Sequence, residues 1–189
     1  QSPEEMEAAV IRRLSAPDVA FALPRAKNKS WYTARAIDPL TDATRTELSA
    51  SLQGLAQAIT DLRAKAPGTP LVLAGFSQGA CLSLEHAFTG QATPDAVAAF
   101  TGCRVGLPGD DRPTNLPSSL PVYLSAGSAD PWIPIQAFAE TVAALGQAEA
   151  GEVQGHATQP LRRQQRQDLA VEERGGGDAV DADHRVAVA

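Results

Sequence analysis

The chain has 189 residues, 43% of them hydrophobic, which is enough for one domain with a substantial core and ordinary for a soluble globular protein. A net charge of −6 and the lack of a basic cluster in the first 160 residues argue against nucleic acid or anionic membrane surfaces as partners, and for a small molecule. No apolar run approaches the roughly 20 residues of a membrane span, and the acidic residues 1–7 do not resemble a signal peptide, so the chain reads as cytoplasmic.

Ser2-Pro3-Glu4-Glu5 predicts a helix start: serine caps, proline takes the first helical position, and Glu5 completes a capping box. Met6, Ala9, Val10 and Leu14 then share one face. Residues 18–23 predict a buried strand ended by Pro24, and a polar loop carrying Trp31 and Tyr32 follows. Leu48, Leu52, Leu55, Ile59 and Leu62 recur at helical spacing, and Ala66-Pro67-Gly68 stops that helix.

Residues 71–74, Leu-Val-Leu-Ala, form a continuous apolar run suited to a strand buried on both faces. It runs into Gly75-Phe-Ser-Gln-Gly79, a G-x-S-x-G turn, and then into a helix ending near Gly90. A serine at the tip of such a strand-to-helix turn presents its hydroxyl, so Ser77 is the candidate nucleophile. The N–H of Gln78, at the helix N-terminus, can donate to a developing oxyanion, and the small Gly75 and Gly79 let the turn close. Cys81, one helical turn on, reads as a small buried residue beside the elbow, and Cys103 as packing. Two cysteines make no disulfide framework, and no Cys/His spacing resembles a zinc site.

A strand over 96–100, a loop rich in Gly, Pro, Asp and Ser, and a strand over 121–124 follow. That last strand delivers Asp130, and a helix with Ile135, Phe138, Val142 and Leu145 on one face comes next. Strands alternating with helices predict an α/β fold, a mostly parallel sheet flanked by helices, with functional groups at the carboxyl ends of the strands. Ser77 and Asp130 both fall there. Residues 1–146 read as the domain. Residues 147–189 contain no Phe, Trp, Tyr, Ile or Met and read as an atypical tail with the low-hydrophobicity signature of disorder.

A serine hydroxyl needs a base, and the base needs an acid to hold its tautomer. Asp130 suits the acid. His86 lies nine residues past Ser77 on the same helix, about 13 Å along its axis, too far to reach the hydroxyl. His184 sits in the tail, so His156 is the remaining candidate base.

Residues 75–83 (Gly-Phe-Ser-Gln-Gly-Ala-Cys-Leu-Ser), the Ser30-Trp31-Tyr32 loop and Ala129-Asp-Pro-Trp-Ile-Pro134 together resemble the phospholipase/carboxylesterase family of α/β-hydrolases, over about residues 3–146. The resemblance implies a cytosolic serine hydrolase of esters or thioesters of small to medium acyl groups, free of cofactors. It implies Ser77 as nucleophile, Asp130 as acid 53 positions later, and Trp31, Tyr32 and Trp132 bordering the acyl pocket. Two features depart from the family pattern. Strands and a His-Gly oxyanion loop usually precede a helix like that after Ser2, so the chain is expected to be truncated at its N-terminus. His156, 26 positions after Asp130, is closer to the acid than the family's histidine and follows no apolar strand, which leaves open that residues beyond about Gly146 are in another reading frame. A protein that only binds an acyl or aromatic ligand is the alternative to an enzyme. A dienelactone-type hydrolase would place cysteine at the elbow, and a homodimer stays open.

Overall fold

A computed structural model describes residues 2–151 and 185–188. Its strands are β1 (Val19–Ala22), β2 (Leu71–Phe76), β3 (Ala96–Phe100), β4 (Val122–Ser125) and β5 (Arg185–Val188). Its α-helices are α1 (Pro3–Ala9), α2 (Asp42–Lys65), α3 (Gln78–Thr89) and α4 (Ile135–Gly151). The strands form one sheet in the order β1-β5-β2-β3-β4, and every neighbouring pair is parallel. That is the expected α/β architecture. Within the segment read as a tail, α4 continues to Gly151 and β5 enters the sheet between β1 and β2; the rest of that segment lies outside the described residues.

Alternation along β2 decides how the sheet is covered. Leu71, Leu73 and Gly75 are buried, Val72 and Ala74 half-buried, and Phe76 is 57% exposed. The expectation of burial on both faces is thus corrected: α3 packs on β2 and β3, and α2 packs on α3, so the helices seal the face that carries Leu71, Leu73 and Val97. Phe76 is paired in register with Phe100 on the other face, where the Phe100 and Tyr123 rings lie 5.5 Å apart. β1 is likewise only half-buried where a buried strand was expected, since it is an edge strand of the sheet.

The helices follow their caps. Ser2 Oγ accepts from Glu5 N–H at 3.3 Å and Glu5 Oε2 accepts from Ser2 N–H at 2.6 Å, the capping box read from the sequence. α1 nevertheless stops at Ala9, where the consecutive β-branched Val10 and Ile11 weaken helix propensity. Val10 and Leu14, expected on its apolar face, are exposed. α2 starts on Thr41, whose hydroxyl accepts from Thr44 N–H, and buries Leu48, Leu55 and Ile59 with Leu52 and Leu62 beside them. α3 is buried along Ala80–Phe88 and ends on Gly90, whose φ of +68° suits the left-handed helix cap.

The inward face of α4 agrees with the reading only in part. Thr141 is buried and Ala137, Phe138, Ala144 and Leu145 half-buried, while Ile135 and Val142 are 46% and 47% exposed. The reason is a close backbone approach: Thr141 Oγ1 accepts from Arg104 N–H at 2.9 Å, which only a small-residue face permits. No helix among the described residues is long and apolar enough to cross a membrane.

His86 is a buried core histidine with Nε2 3.3 Å from the Ala92 carbonyl oxygen. Burial disfavours its imidazolium and holds its pKa below the ordinary value. Below about pH 6.5 the unfolded chain takes up a proton there that the folded chain resists, so stability falls as pH drops through that region. Urea midpoints measured between pH 7.5 and 5 are expected to decline less steeply in His86→Gln than in the parent chain; equal slopes would refute the assignment.

Candidate active site

Ser77 sits between the last residue of β2 and the first of α3 with φ +54° and ψ −117°, a region that β-carbon-bearing residues avoid. Two backbone bonds hold it. Ser77 N–H donates to Phe100 O at 3.0 Å, and its carbonyl accepts from Cys81 N–H at 3.0 Å. The sequence, an apolar strand running straight into a helix, forces the chain to reverse within one residue, and the serine takes the strained position.

Gly75 makes that reversal possible: a Cβ there would lie 2.3 Å from the Gly79 carbonyl oxygen and 2.6 Å from Ala80 N. Gly79 has open space where its Cβ would be, so the expectation that both glycines close the turn holds for Gly75 alone. Gly75→Ala should therefore cost about 3 kcal/mol or more, because backbone and not a flexible side chain must move. Gly79→Ala should change stability by less than about 1 kcal/mol, on the stabilising side, through helix propensity. Urea unfolding of the two variants separates them, and equal losses would contradict the geometry.

Gln78 opens α3, so its N–H belongs to the first helical turn, which no carbonyl of the helix itself can satisfy. Its side chain is also engaged. Oε1 accepts from Trp31 N–H at 2.9 Å and Nε2 donates to Tyr32 O at 2.7 Å, contacts that sequence reading did not anticipate. Asp130 lies in the loop after β4, at the same carboxyl edge of the sheet as Ser77 with β3 between them. Its Oδ1 accepts from Trp132 N–H at 2.7 Å and from Ile133 N–H at 3.0 Å, and the buried Ile133 anchors this turn in the core.

Two clefts meet at Ser77. One, of about 290 Å³, is walled by Met6, Leu23, Trp31, Phe76 and Leu82 and is mainly apolar. The other, of about 260 Å³, holds Tyr32, Arg35, Cys81 and Trp132. The three aromatic residues read as pocket borders thus divide, Trp31 into the first cleft and Tyr32 with Trp132 into the second. They differ in exposure as well. Trp132 is exposed, whereas Tyr32 is 2% exposed and belongs chiefly to the core, where burial pushes its hydroxyl pKa well above the usual range.

Cys81 and Cys103 are both buried, as expected, and Cys103 N–H donates to Cys81 Sγ at 3.4 Å. Hydrogen bonding to Cys81, with burial, pushes the Cys103 thiol far up, away from thiolate chemistry. His156 and His184 lie outside the described residues.

Sequence reading missed the supporting charges altogether. Glu85 and Arg104, 1% and 3% exposed in their side chains, pair through Arg104 Nε to Oε1 at 2.7 Å and Nη2 to Oε2 at 3.1 Å. Val105 N–H also donates to Glu85 Oε1 at 2.8 Å, and the Arg104 guanidinium stacks 3.7 Å over Phe88. The pair ties α3, the helix that Ser77 precedes, to the segment after β3 and, through Arg104 N–H and Thr141, to α4. A charge inside the otherwise apolar run of α3 is the signal that could have found it.

The family model described as Phospholipase/Carboxylesterase matches residues 15–167. Its match starts later than the sequence resemblance and runs past Gly146. Among solved structures, the crystal structure of phospholipase/carboxylesterase from Dyadobacter fermentans DSM 18053 is similar, with 29% sequence identity and a TM-score of 0.58 over 67% of this chain. The match spans 61% of that chain. No curated protein matches. With its sheet parallel and the family model matched over most of its length, the chain belongs to the phospholipase/carboxylesterase family of α/β-hydrolases.

Proposed function

We propose that the protein hydrolyses carboxylic esters or thioesters of small to medium acyl groups through an acyl-enzyme. Ser77 Oγ attacks the acyl carbonyl while His156 takes its proton, and Asp130 orients the histidine. The oxyanion of the tetrahedral intermediate accepts from the Gln78 N–H. As it collapses, the carbonyl re-forms, the C–O or C–S bond breaks and the leaving group receives the proton from His156. Water then attacks the acyl-serine by the same route and restores the free serine.

The observation that carries this reading is the backbone of Ser77. A non-glycine residue held at φ +54°, at the mouth of two clefts, maintains a strain that a structural serine would not need. The apolar cleft suits the acyl chain and its volume, at the small end of ligand sites, suits a short to medium one. Asp130 supports the acid role because its Oδ1 accepts the two bonds that fix the carboxylate, and among the described residues no hydrogen bond occupies Oδ2. We also propose that residues 1–146 form the bulk of the hydrolase domain, to whose sheet β5 adds a strand, and that the chain acts in the cytoplasm.

A fluorophosphonate probe tests the mechanism. Stoichiometric labelling mapped to Ser77 by mass spectrometry, and lost in Ser77→Ala, is expected. A folded protein that takes no label would sink the enzyme reading and leave a family member that only binds an acyl or aromatic ligand.

A further inference from the structure

Acyl transfer at Ser77 uses the backbone of Gln78 and leaves its side chain idle, yet that amide grips two adjacent residues of one loop, 47 and 46 positions away in sequence. Trp31 N–H donates to Oε1 at 2.9 Å and Nε2 donates to Tyr32 O at 2.7 Å. One amide orientation alone meets both demands, because Trp31 offers a donor and Tyr32 an acceptor. The Ser30 hydroxyl has a single proton, which goes to Tyr32 O at 2.7 Å rather than to Gln78 Oε1 at 3.3 Å.

The rest of this loop is tied from the α2 side. Ser51 Oγ donates to Trp31 O at 2.6 Å, and Thr33 N–H donates to Glu47 Oε2 at 2.8 Å. Just before it, Asn28 and Lys29 have φ of +55° and +61°, two consecutive left-handed residues that persist only when their surroundings over-determine them. The loop is therefore held in place against its own backbone preference. Its two aromatic residues wall different clefts, Trp31 the apolar one and Tyr32 the one shared with Trp132, and Gln78 and Ser77 border both.

We propose that Gln78 is a positioning residue whose side-chain amide locks the Ser30–Tyr32 loop against the nucleophile's elbow and so sets which acyl groups the two clefts admit. The inference rests on the esterase reading and adds the determinant of its acyl selectivity. Without the amide, Trp31 N–H loses its acceptor and Tyr32 O keeps only the Ser30 hydroxyl from within its own loop, so the loop shifts and both clefts change width at the reacting carbonyl.

The test uses the full chain with Gln78→Leu, which keeps bulk and loses both bonds, and Gln78→Glu. At pH 8 the glutamate is a carboxylate that repels Tyr32 O. At pH 5 a growing share of it is the neutral acid, held so by the carbonyl it faces, with a hydroxyl for Tyr32 O and a carbonyl for Trp31 N–H, as in the amide. The quantity read is kcat/KM for p-nitrophenyl octanoate divided by that for the acetate, from which titration of the common base cancels. Gln78→Leu is expected to shift this ratio about tenfold at both pH values, the worth of one to two hydrogen bonds. Gln78→Glu should match it at pH 8 and return toward the parent ratio at pH 5. Rates that fall in parallel for both esters, or a glutamate variant blind to pH, would overturn the proposal.

A second readout needs no activity. Tryptic cleavage after the exposed Lys29 at pH 8 should be about tenfold faster in both variants than in the parent chain. Unchanged cleavage overturns the clamp. If the parent chain hydrolyses neither ester, the esterase reading fails and the cleavage rates still judge the clamp.

Discussion

Ser77→Gly is expected to make the protein more stable while lowering ester hydrolysis by at least about 10⁴-fold, the scale of losing a catalytic serine. The wild-type serine holds φ +54° and ψ −117°, where a Cβ is unwelcome and the cost is about 1–3 kcal/mol. Glycine occupies this region freely and regains most of that. Against it stands the larger entropy of glycine in the unfolded chain, about 0.4–1 kcal/mol. Relief of strain outweighs this entropy, so the net gain is about 1 kcal/mol, or a rise in Tm of roughly 2–4 °C for a chain of this size. Ser77→Ala should lose activity equally without the gain, because alanine keeps the Cβ. Thermal melts and urea titrations of the three proteins decide it. A glycine variant less stable than the parent would mean that the elbow is unstrained, and the main support for a catalytic Ser77 would go with it.

What can be read from the sequence is local. The strand into Ser77, the helix after it, the Ser2 capping box and the apolar stripe of α2 all depend on signals within a few residues of one another, and the structure forms each of them. The place of Asp130 at the carboxyl edge of the sheet is legible from its position after a strand, and the parallel sheet puts its loop there. Features that depend on what lies across the gap are misread or unseen. The large residues of α4 suggest an inward face that holds for the half-buried Phe138 and Leu145 but fails for the exposed Ile135 and Val142, because it is Thr141 that meets the Arg104 backbone. Gly79 looks as necessary as Gly75 because composition cannot tell which glycine has backbone pressed against it. The Gln78 side chain meets a loop that is 46 positions away in sequence but adjacent in space. No periodicity encodes such a contact.

The same limit hides the buried Glu85–Arg104 pair, and Glu85→Ala is expected to cost about 3–5 kcal/mol, a large share of the stability of many domains of this size. With Glu85 gone, the Arg104 guanidinium stays in a site where it is 3% exposed, with only the Pro113 carbonyl at 2.8 Å and the Phe88 ring beneath it. Val105 N–H loses its acceptor as well. The cost comes from leaving a buried charge and a buried donor unpaired and says little about the net worth of the pair. Removing both charges distinguishes these. Glu85→Leu combined with Arg104→Met keeps the volume and eliminates the orphaned ion, and it should recover most of the loss, ending within about 2 kcal/mol of the parent chain in urea unfolding. If the double variant is as unstable as Glu85→Ala, the pair supplies net stabilisation through its bonds to Val105 and Pro113 rather than merely cancelling its own desolvation. If Glu85→Ala itself costs under about 1 kcal/mol, the pair is not buried as described, and the link from α3 through Arg104 and Thr141 to α4 is not what holds these elements in place.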